Sequence, residues 1–396
     1  MRLILLILGF GLLFTVEILR VYYIMPFPGS QEEETIDLAY WISNNIGYFR
    51  LIGLAMVVYP FFYFFNRART VIKVILCIVF GFYAVVFYMF NSLLLADKMF
   101  LQPKTIVYNS AATNKVLPKQ LVLGVTIQNE SKAYPIEIIG YHHQIRDKVG
   151  GQEIMVTYCT VCRTGRVFKP TVDGELEKFR LVGMDHFNAM FEDSKTKSWW
   201  RQANGEAIAG PLKGKMLDEI PSEQMSLAQW ISNHPDTRIL QPDTVFSEAY
   251  KGLADYDEGK QKGNLEKKDS LSWQKKSWIV GIQIGMNARA YDWIELEKIR
   301  VANDVINGIP VLVTISPDST SFQSFIRIVE LDTLAFSASN NGKNLMDSKT
   351  SSTWAWNGHC ISGSLQGETL KSIQSYQEYW HSWQTFHPQT TQYISK

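Results

Sequence analysis

GVTIQNESKAY, residues 124–134, returns as GIQIGMNARAY at 281–291, an offset of 157 residues. At the same offset Asp147 meets Asp304, Gly151 meets Gly308, and Val156-Thr157 meets Val313-Thr314. Further on, DSKTKSWW (193–200) matches DSKTSSTW (347–354), and GEAIAGPLKGKML (205–217) matches GHCISGSLQGETL (358–370), now at an offset of 153. Trp230, His234-Pro235 and Thr237 fall on Trp383, His387-Pro388 and Thr390. Order and spacing held over such a length predict an internal tandem duplication. The copies run about 120–240 and 277–393, related by a pseudo-twofold axis, with an exposed, charged segment containing DYDEGKQKGNLEKKDS between them.

Within each copy the local signals are mostly β. EIMVTY is an apolar, β-branched run, and Asp173-Gly174 in VDGELEKF predicts a tight hairpin turn. SLAQWISNHPD predicts a short amphipathic helix that stops at His234-Pro235, and QEYWHSWQTFHPQ is its counterpart. The expected fold is a β-rich α+β domain. The repeated Gly, Trp and His-Pro positions then read as turns, core aromatics and helix stops.

Upstream, the composition changes. Of 396 residues, 46% are hydrophobic, but the long apolar runs lie almost entirely in the first 100. Residues 3–25, 46–65 and 71–96 each exceed the roughly 18 apolar residues that cross a bilayer core. Tyr22, Tyr23, Trp41 and Tyr48 sit where amphipathic rings meet headgroups. Glu17 and Arg20, three residues apart on one helical face, are placed to pair. Arg2, Arg67, Arg69 and Lys73 flank the first span and the short loop at 66–70, whereas the loop containing QEEETID has no Lys or Arg. The positive-inside rule puts those basic residues in the cytoplasm, so three spans export everything after residue 100. No small-x-small cleavage site precedes the Tyr-rich end of the first span, which reads as an uncleaved anchor. The expectation is a multi-pass inner-membrane protein whose C-terminal domain is extracytoplasmic, periplasmic in a Gram-negative cell. Its division is 1–100 anchor, 101–240 first repeat, 241–276 linker or insertion, and 277–396 second repeat.

A net charge of +1 and the lack of a basic tract give no reason to invoke nucleic acid; the partner expected from sequence is the lipid bilayer. There is no G-x-S-x-G elbow, no phosphate-binding glycine loop and no H-E-x-x-H. Chemistry points instead to VTYCTVCRTG, with Cys159 and Cys162. Cysteines in this spacing chelate a soft metal, form a redox disulfide, or make a structural bridge. The strand-like VFKPTVDG that follows is unlike the long helix after a thioredoxin-type second cysteine and closer to a metal-binding knuckle. The aligned positions in the second copy are Ser316 and Ser319. Further candidate ligands are His142, about 17 residues upstream, and His186 in VGMDHFN, with Asp185 and Cys360 as other options. Thiolate and imidazole donors would select zinc or copper over magnesium or calcium. A thiol oxidoreductase using Cys159 and Cys162, aided by Arg163 or Arg166, is the second expectation, and an aromatic-lined binding module the third. No reaction is named by these residues.

Tyr134-Pro135, His142, Asp147, Gly150-Gly151, Val156 to Cys162, Asn188, Ser198 to Trp200, Gly205, Gly210 and His234 to Thr237 together carry a family resemblance. Here the chain resembles a widespread prokaryotic family catalogued as a domain of unknown function, number 3179, strongly over about 118–240 and more weakly in the second copy. Thr160 stands where that family usually has Pro, Arg163 where it has Gly or Asn, and His143 where it has Glu. The resemblance implies that His142 joins Cys159 and Cys162 in the site; it implies no activity.

Overall fold

The structure is a computed structural model describing residues 1–339 and 341–395, and it comprises two compact units. The first holds residues 1–101 with 172–216, and the second holds 102–171 with 217–396.

Three helices open the first unit: Arg2–Tyr22, Ile36–Arg67 and Thr70–Tyr88, the last continuing as a π-turn over Met89–Leu93. All three apolar segments are long enough to cross a membrane. The first two approach closely at Gly9 and Gly53; a Cβ on either would lie 2.7 Å from Val57 or Leu13 respectively. Glu17, fully buried, pairs not with Arg20 but with Arg50 of the second helix, at 2.6 and 2.9 Å. The π-turn brings in Asn91, which donates to Glu17 (2.9 Å) and accepts from Arg20 and Arg50 (2.6 and 2.7 Å). The interhelical geometry wins because Arg50 reaches both carboxylate oxygens, and bidentate charge-assisted bonds outweigh a neighbouring i,i+3 pair.

The same unit contains an antiparallel sheet of four strands, Phe179–Asp185, Asn188–Asp193, Trp199–Arg201 and Ala207–Ala209. The loop between the first two helices is hydrogen-bonded to it: Met184 N donates to the Ile24 carbonyl (2.7 Å) and Phe187 N to Gln31 (3.2 Å). Gly183 is required there, since a Cβ would meet the Ile24 carbonyl oxygen at 2.2 Å. Asp193 closes the turn after the second strand, accepting from Ser198 N and Trp200 Nε1, both at 3.0 Å.

The second unit is β-rich α+β. Its first sheet runs Tyr108–Ser110, Arg238–Leu240, Glu130–Pro135, Leu121–Ile127, Glu223–Ser226, with Arg238–Leu240 parallel to Glu130–Pro135. A second sheet runs Thr391–Gln392, Asn287–Asp292, Trp278–Ile284, Tyr376–Tyr379, with the first two again parallel. Each carries a seven-residue helix, Leu227–Asn233 and Trp380–Phe386, ending at His234 and His387 before a proline that cannot continue it. Trp230 and Trp383 lie over glycines; a Cβ at Gly124 or Gly281 would come within 2.2 or 2.4 Å of the indole. Both indoles donate to a threonine, Thr237 and Thr390, at 2.8 Å. Gln144–Val149, Gln152–Cys159 and Thr164–Phe168 form an antiparallel meander, as do Val301–Ile306, Ile309–Ile315 and Phe322–Ile326. The cores behind these sheets gather Leu123, Tyr134, Ile145, Val156 and Tyr158 in one case, and Val280, Tyr291, Val311, Val313 and Tyr379 in the other.

Candidate functional site

The strand Gln152–Cys159 ends on the first cysteine, and Thr164 starts the next strand directly after the turn. Arg163 makes that turn possible by taking a left-handed conformation, φ 57°. Its guanidinium is fully buried and donates to Gln377 Oε1 (2.7 Å), the Tyr256 carbonyl (3.1 Å) and the Asp257 carbonyl (3.2 Å), with Trp278 stacked on it at 3.7 Å. Such a density of partners offsets the cost of a buried cation.

Every carbonyl of the turn from 160 to 162 is also held. Tyr256 Oη donates to the Thr160 carbonyl (2.8 Å), Lys276 Nζ to that of Val161 (2.7 Å), and Tyr379 N to that of Cys162 (2.9 Å). The clamp comes from two places: the segment between the sheets (Tyr256, Asp257, Lys276) and the strand-to-helix junction at 377–382. Inside it, Cys159 and Cys162 are 1% and 0% exposed, and their side chains hydrogen-bond each other. Burial pushes the Cys162 thiol well above its ordinary range, reinforced by Cys159; a hydrogen bond from Ser382 and the Lys276 ammonium oppose this. Lys276 in turn is lowered by burial, against the attraction of both sulfurs. His381, 3.1 Å from Lys276 Nζ, is pushed down to about 3 by burial and by that cation, so it is neutral.

The other residues expected from sequence have partners of their own. His142 ends the helix Ile136–His142, is fully buried, and its Nε2 lies 2.7 Å from Tyr250 Oη. His143 follows in a left-handed conformation, φ 60°, and burial drives it down to about 4. His186 belongs to the first unit, where Asp185 holds its Nδ1 at 2.7 Å and Glu34 lies 3.6 Å from its Nε2. Cys360 is buried beside the carbonyls of Thr353 and Ser362. Thus the structure brings Cys159 and Cys162 together, and no group of three or more His, Cys, Asp or Glu able to hold a metal ion occurs among the described residues.

Sequence reading missed Tyr256, Lys276, Gln377, Tyr379 and Ser382. The charged stretch read as an exposed linker contains Tyr256, which is 1% exposed. The one available signal was the aromatic within DYDEG, out of place in a solvated spacer.

The family profile described as "Protein of unknown function (DUF3179)" matches residues 102–390, about three quarters of the chain. The chain belongs to that family. No curated protein and no solved structure matches it. The DUF3179 region therefore contains the whole clamp around Cys159 and Cys162, from the knuckle to Ser382, and it begins immediately after the three apolar helices.

Proposed function

We propose that this protein is a membrane-anchored DUF3179 domain, built by tandem duplication, whose working group is the dithiol of Cys159 and Cys162. Contact between the two sulfurs inside a clamp that offers them Ser382 and Lys276 carries this reading. Duplication is supported by the repeated sheet order, the repeated parallel pair and the two Trp-over-Gly contacts. Anchoring is supported by the three apolar helices, and an extracytoplasmic domain by the distribution of Arg and Lys around them.

The chemistry is thiol–disulfide exchange with a partner disulfide. One thiolate of the pair attacks a partner sulfur, forming a mixed disulfide and expelling the partner's other sulfur as thiolate. The second cysteine then attacks the mixed disulfide, closing the Cys159–Cys162 bond and expelling the remaining partner thiolate. The dithiol loses two electrons, the partner disulfide gains them, and the two thiol protons pass to the two released sulfurs. Burial keeps Cys162 protonated at rest, so exchange requires the clamp to open; the Lys276 ammonium favours its thiolate once it forms.

Two variants test the reading. With Cys77 and Cys360 replaced by serine, Cys159→Ser should leave Cys162 a slow single thiol that stops at the mixed disulfide with a nitroaromatic disulfide, whereas the parent releases two coloured thiolates and ends with no adduct. Equal release from both proteins overturns the pairing. Elemental analysis of the reduced, detergent-purified chain should find no stoichiometric transition metal; one zinc or copper per chain, lost in Cys159→Ser, would establish the metal centre expected from sequence instead.

A further inference from the structure

The two sheets of the second unit match strand for strand, with one exception. The first has a fifth strand, Tyr108–Ser110, paired antiparallel to Arg238–Leu240 with Tyr108 opposite Leu240. Its counterpart edge, Thr391–Gln392, has no such neighbour among the described residues and is exposed. Edge strands present backbone groups to an incoming chain; here the Gln392 carbonyl also accepts from Arg289 Nη1 at 3.5 Å.

What the fifth strand contributes is specific. Tyr108 Oη donates to Asp147 Oδ2 at 2.6 Å, beside Tyr134 Oη on the same oxygen at 2.6 Å. Lys132 joins that carboxylate at 3.1 Å, lies over the Tyr108 ring at 4.6 Å, and has a second carboxylate, Glu130, at 3.5 Å. In the other copy Asp304 receives Tyr291 Oη at 2.9 Å and the Arg289 guanidinium at 3.3 Å, but no second tyrosine hydroxyl reaches it among the described residues. Asn287 stands in place of Glu130, so among the described residues Arg289 has only Asp304 where Lys132 has two carboxylates, and Arg327, in place of Pro170, donates to the main-chain carbonyls of Asp304, Val311 and Leu334. Beside the open edge lies a cleft of 660 Å³ whose lining includes Arg289, Asp304, Arg327, Gln392 and Tyr393.

We infer that this edge and cleft bind an extended peptide of a partner protein, which adds antiparallel to Thr391–Gln392 and seats a tyrosine hydroxyl on Asp304. An acidic side chain two residues from that tyrosine lies on the same face of the added strand and supplies the carboxylate that Arg289 lacks relative to Lys132. Main-chain bonds to the edge give affinity, and the Asp304–Arg289 cleft gives selectivity. Tyr393, whose ring packs on Tyr291 at 5.0 Å, forms a wall of the cleft. The inference concerns a surface separate from the cysteine clamp and stands whether or not the dithiol reading does.

The test uses the full chain in detergent and a capped peptide of residues 105–111, TIVYNSA, carrying Ser110→Glu. Binding should slow amide exchange at 391–393. Replacing the peptide's tyrosine by phenylalanine, or Asp304 by Asn in the protein, should each weaken binding about tenfold or more, the loss of one hydrogen bond to a charged acceptor. Overturning results are no binding, equal binding of the phenylalanine peptide, protection at Arg238–Leu240 instead, or N-acetyltyrosinamide binding as tightly as the peptide. If Asp304→Asn fails to fold, the tyrosine-to-phenylalanine comparison on the wild-type chain decides alone.

Discussion

Asp257 is a buried carboxyl beside the cysteine clamp, and its replacement by Asn gives a sharp pH signature. Its Oδ2 accepts from Leu121 N at 2.8 Å while Oδ1, also buried, has no hydrogen-bond partner, and burial lifts its pKa from 3.8 to about 6 against the opposing bond from Leu121 and the charge of Arg163. A folded-state value above the unfolded one means that stability is fully present below about 4 and is lost as pH rises through about 6. Two pKa units correspond to roughly 3 kcal/mol, so the charged form costs about that much at pH 7. Asp257→Asn cannot ionise and should lose none of it, although its amide leaves a buried N–H without an acceptor, which costs about 1–3 kcal/mol at every pH. The assay is chemical denaturation of both proteins between pH 4 and pH 7. The difference in stability, variant minus wild type, should rise by about 2–3 kcal/mol across that range, whatever its sign at pH 4. A difference that stays flat would show that Asp257 is ionised throughout, refuting the burial argument.

Other predictions follow from the same contacts. Gly281→Ala and Gly124→Ala each drive a Cβ into an indole 2.2–2.4 Å away, and each should lower stability by about 1–3 kcal/mol in denaturation measurements, as overpacked cores do. Arg50→Leu strands the Glu17 carboxylate among apolar helices and should cost about 3–5 kcal/mol, read as lost thermal stability in detergent, whereas Arg50→Leu with Glu17→Leu recovers most of it. A cysteine introduced at Lys260 should react with a membrane-impermeant maleimide on intact spheroplasts; reaction only after lysis contradicts the extracytoplasmic orientation. Cys162 should react with iodoacetamide far more slowly than a free thiol at pH 7 and accelerate steeply as pH rises, because only the thiolate attacks; a rate already saturated at pH 7 contradicts a raised thiol pKa.

Much of the architecture is local enough to be read in the chain. The helix stops at His234-Pro235 and His387-Pro388 follow from proline chemistry, and the strand that delivers Cys159 follows from EIMVTY; both occur as expected. Apolar length alone identifies the three long helices. What escaped reading depends on contacts distant in sequence. Glu17 meets Arg50 and Asn91 rather than Arg20 because helix packing, not i,i+3 spacing, sets the nearest bidentate donor. The surroundings of the cysteines come from residues about 95 to 220 positions away, such as Tyr256, Lys276 and Ser382, which no motif links to Cys-x-x-Cys. His142 precedes the strand as expected, and its Nε2 meets Tyr250, a partner that sequence spacing gave no means of foreseeing.

The measurement that bears most directly on the dithiol is a redox titration of the full chain in detergent, equilibrated in buffers spanning reduced to oxidised glutathione. The oxidation state of Cys159 and Cys162 is read by alkylation under denaturing conditions and mass spectrometry. The expected result is a single reversible two-electron transition, reached from either direction, in which the chain gains or loses two hydrogens together and the peptide linking 159 to 162 carries the change. Thiols that remain reduced across the whole series, or oxidation only to a mixed disulfide with glutathione that never closes, would contradict a Cys159–Cys162 couple.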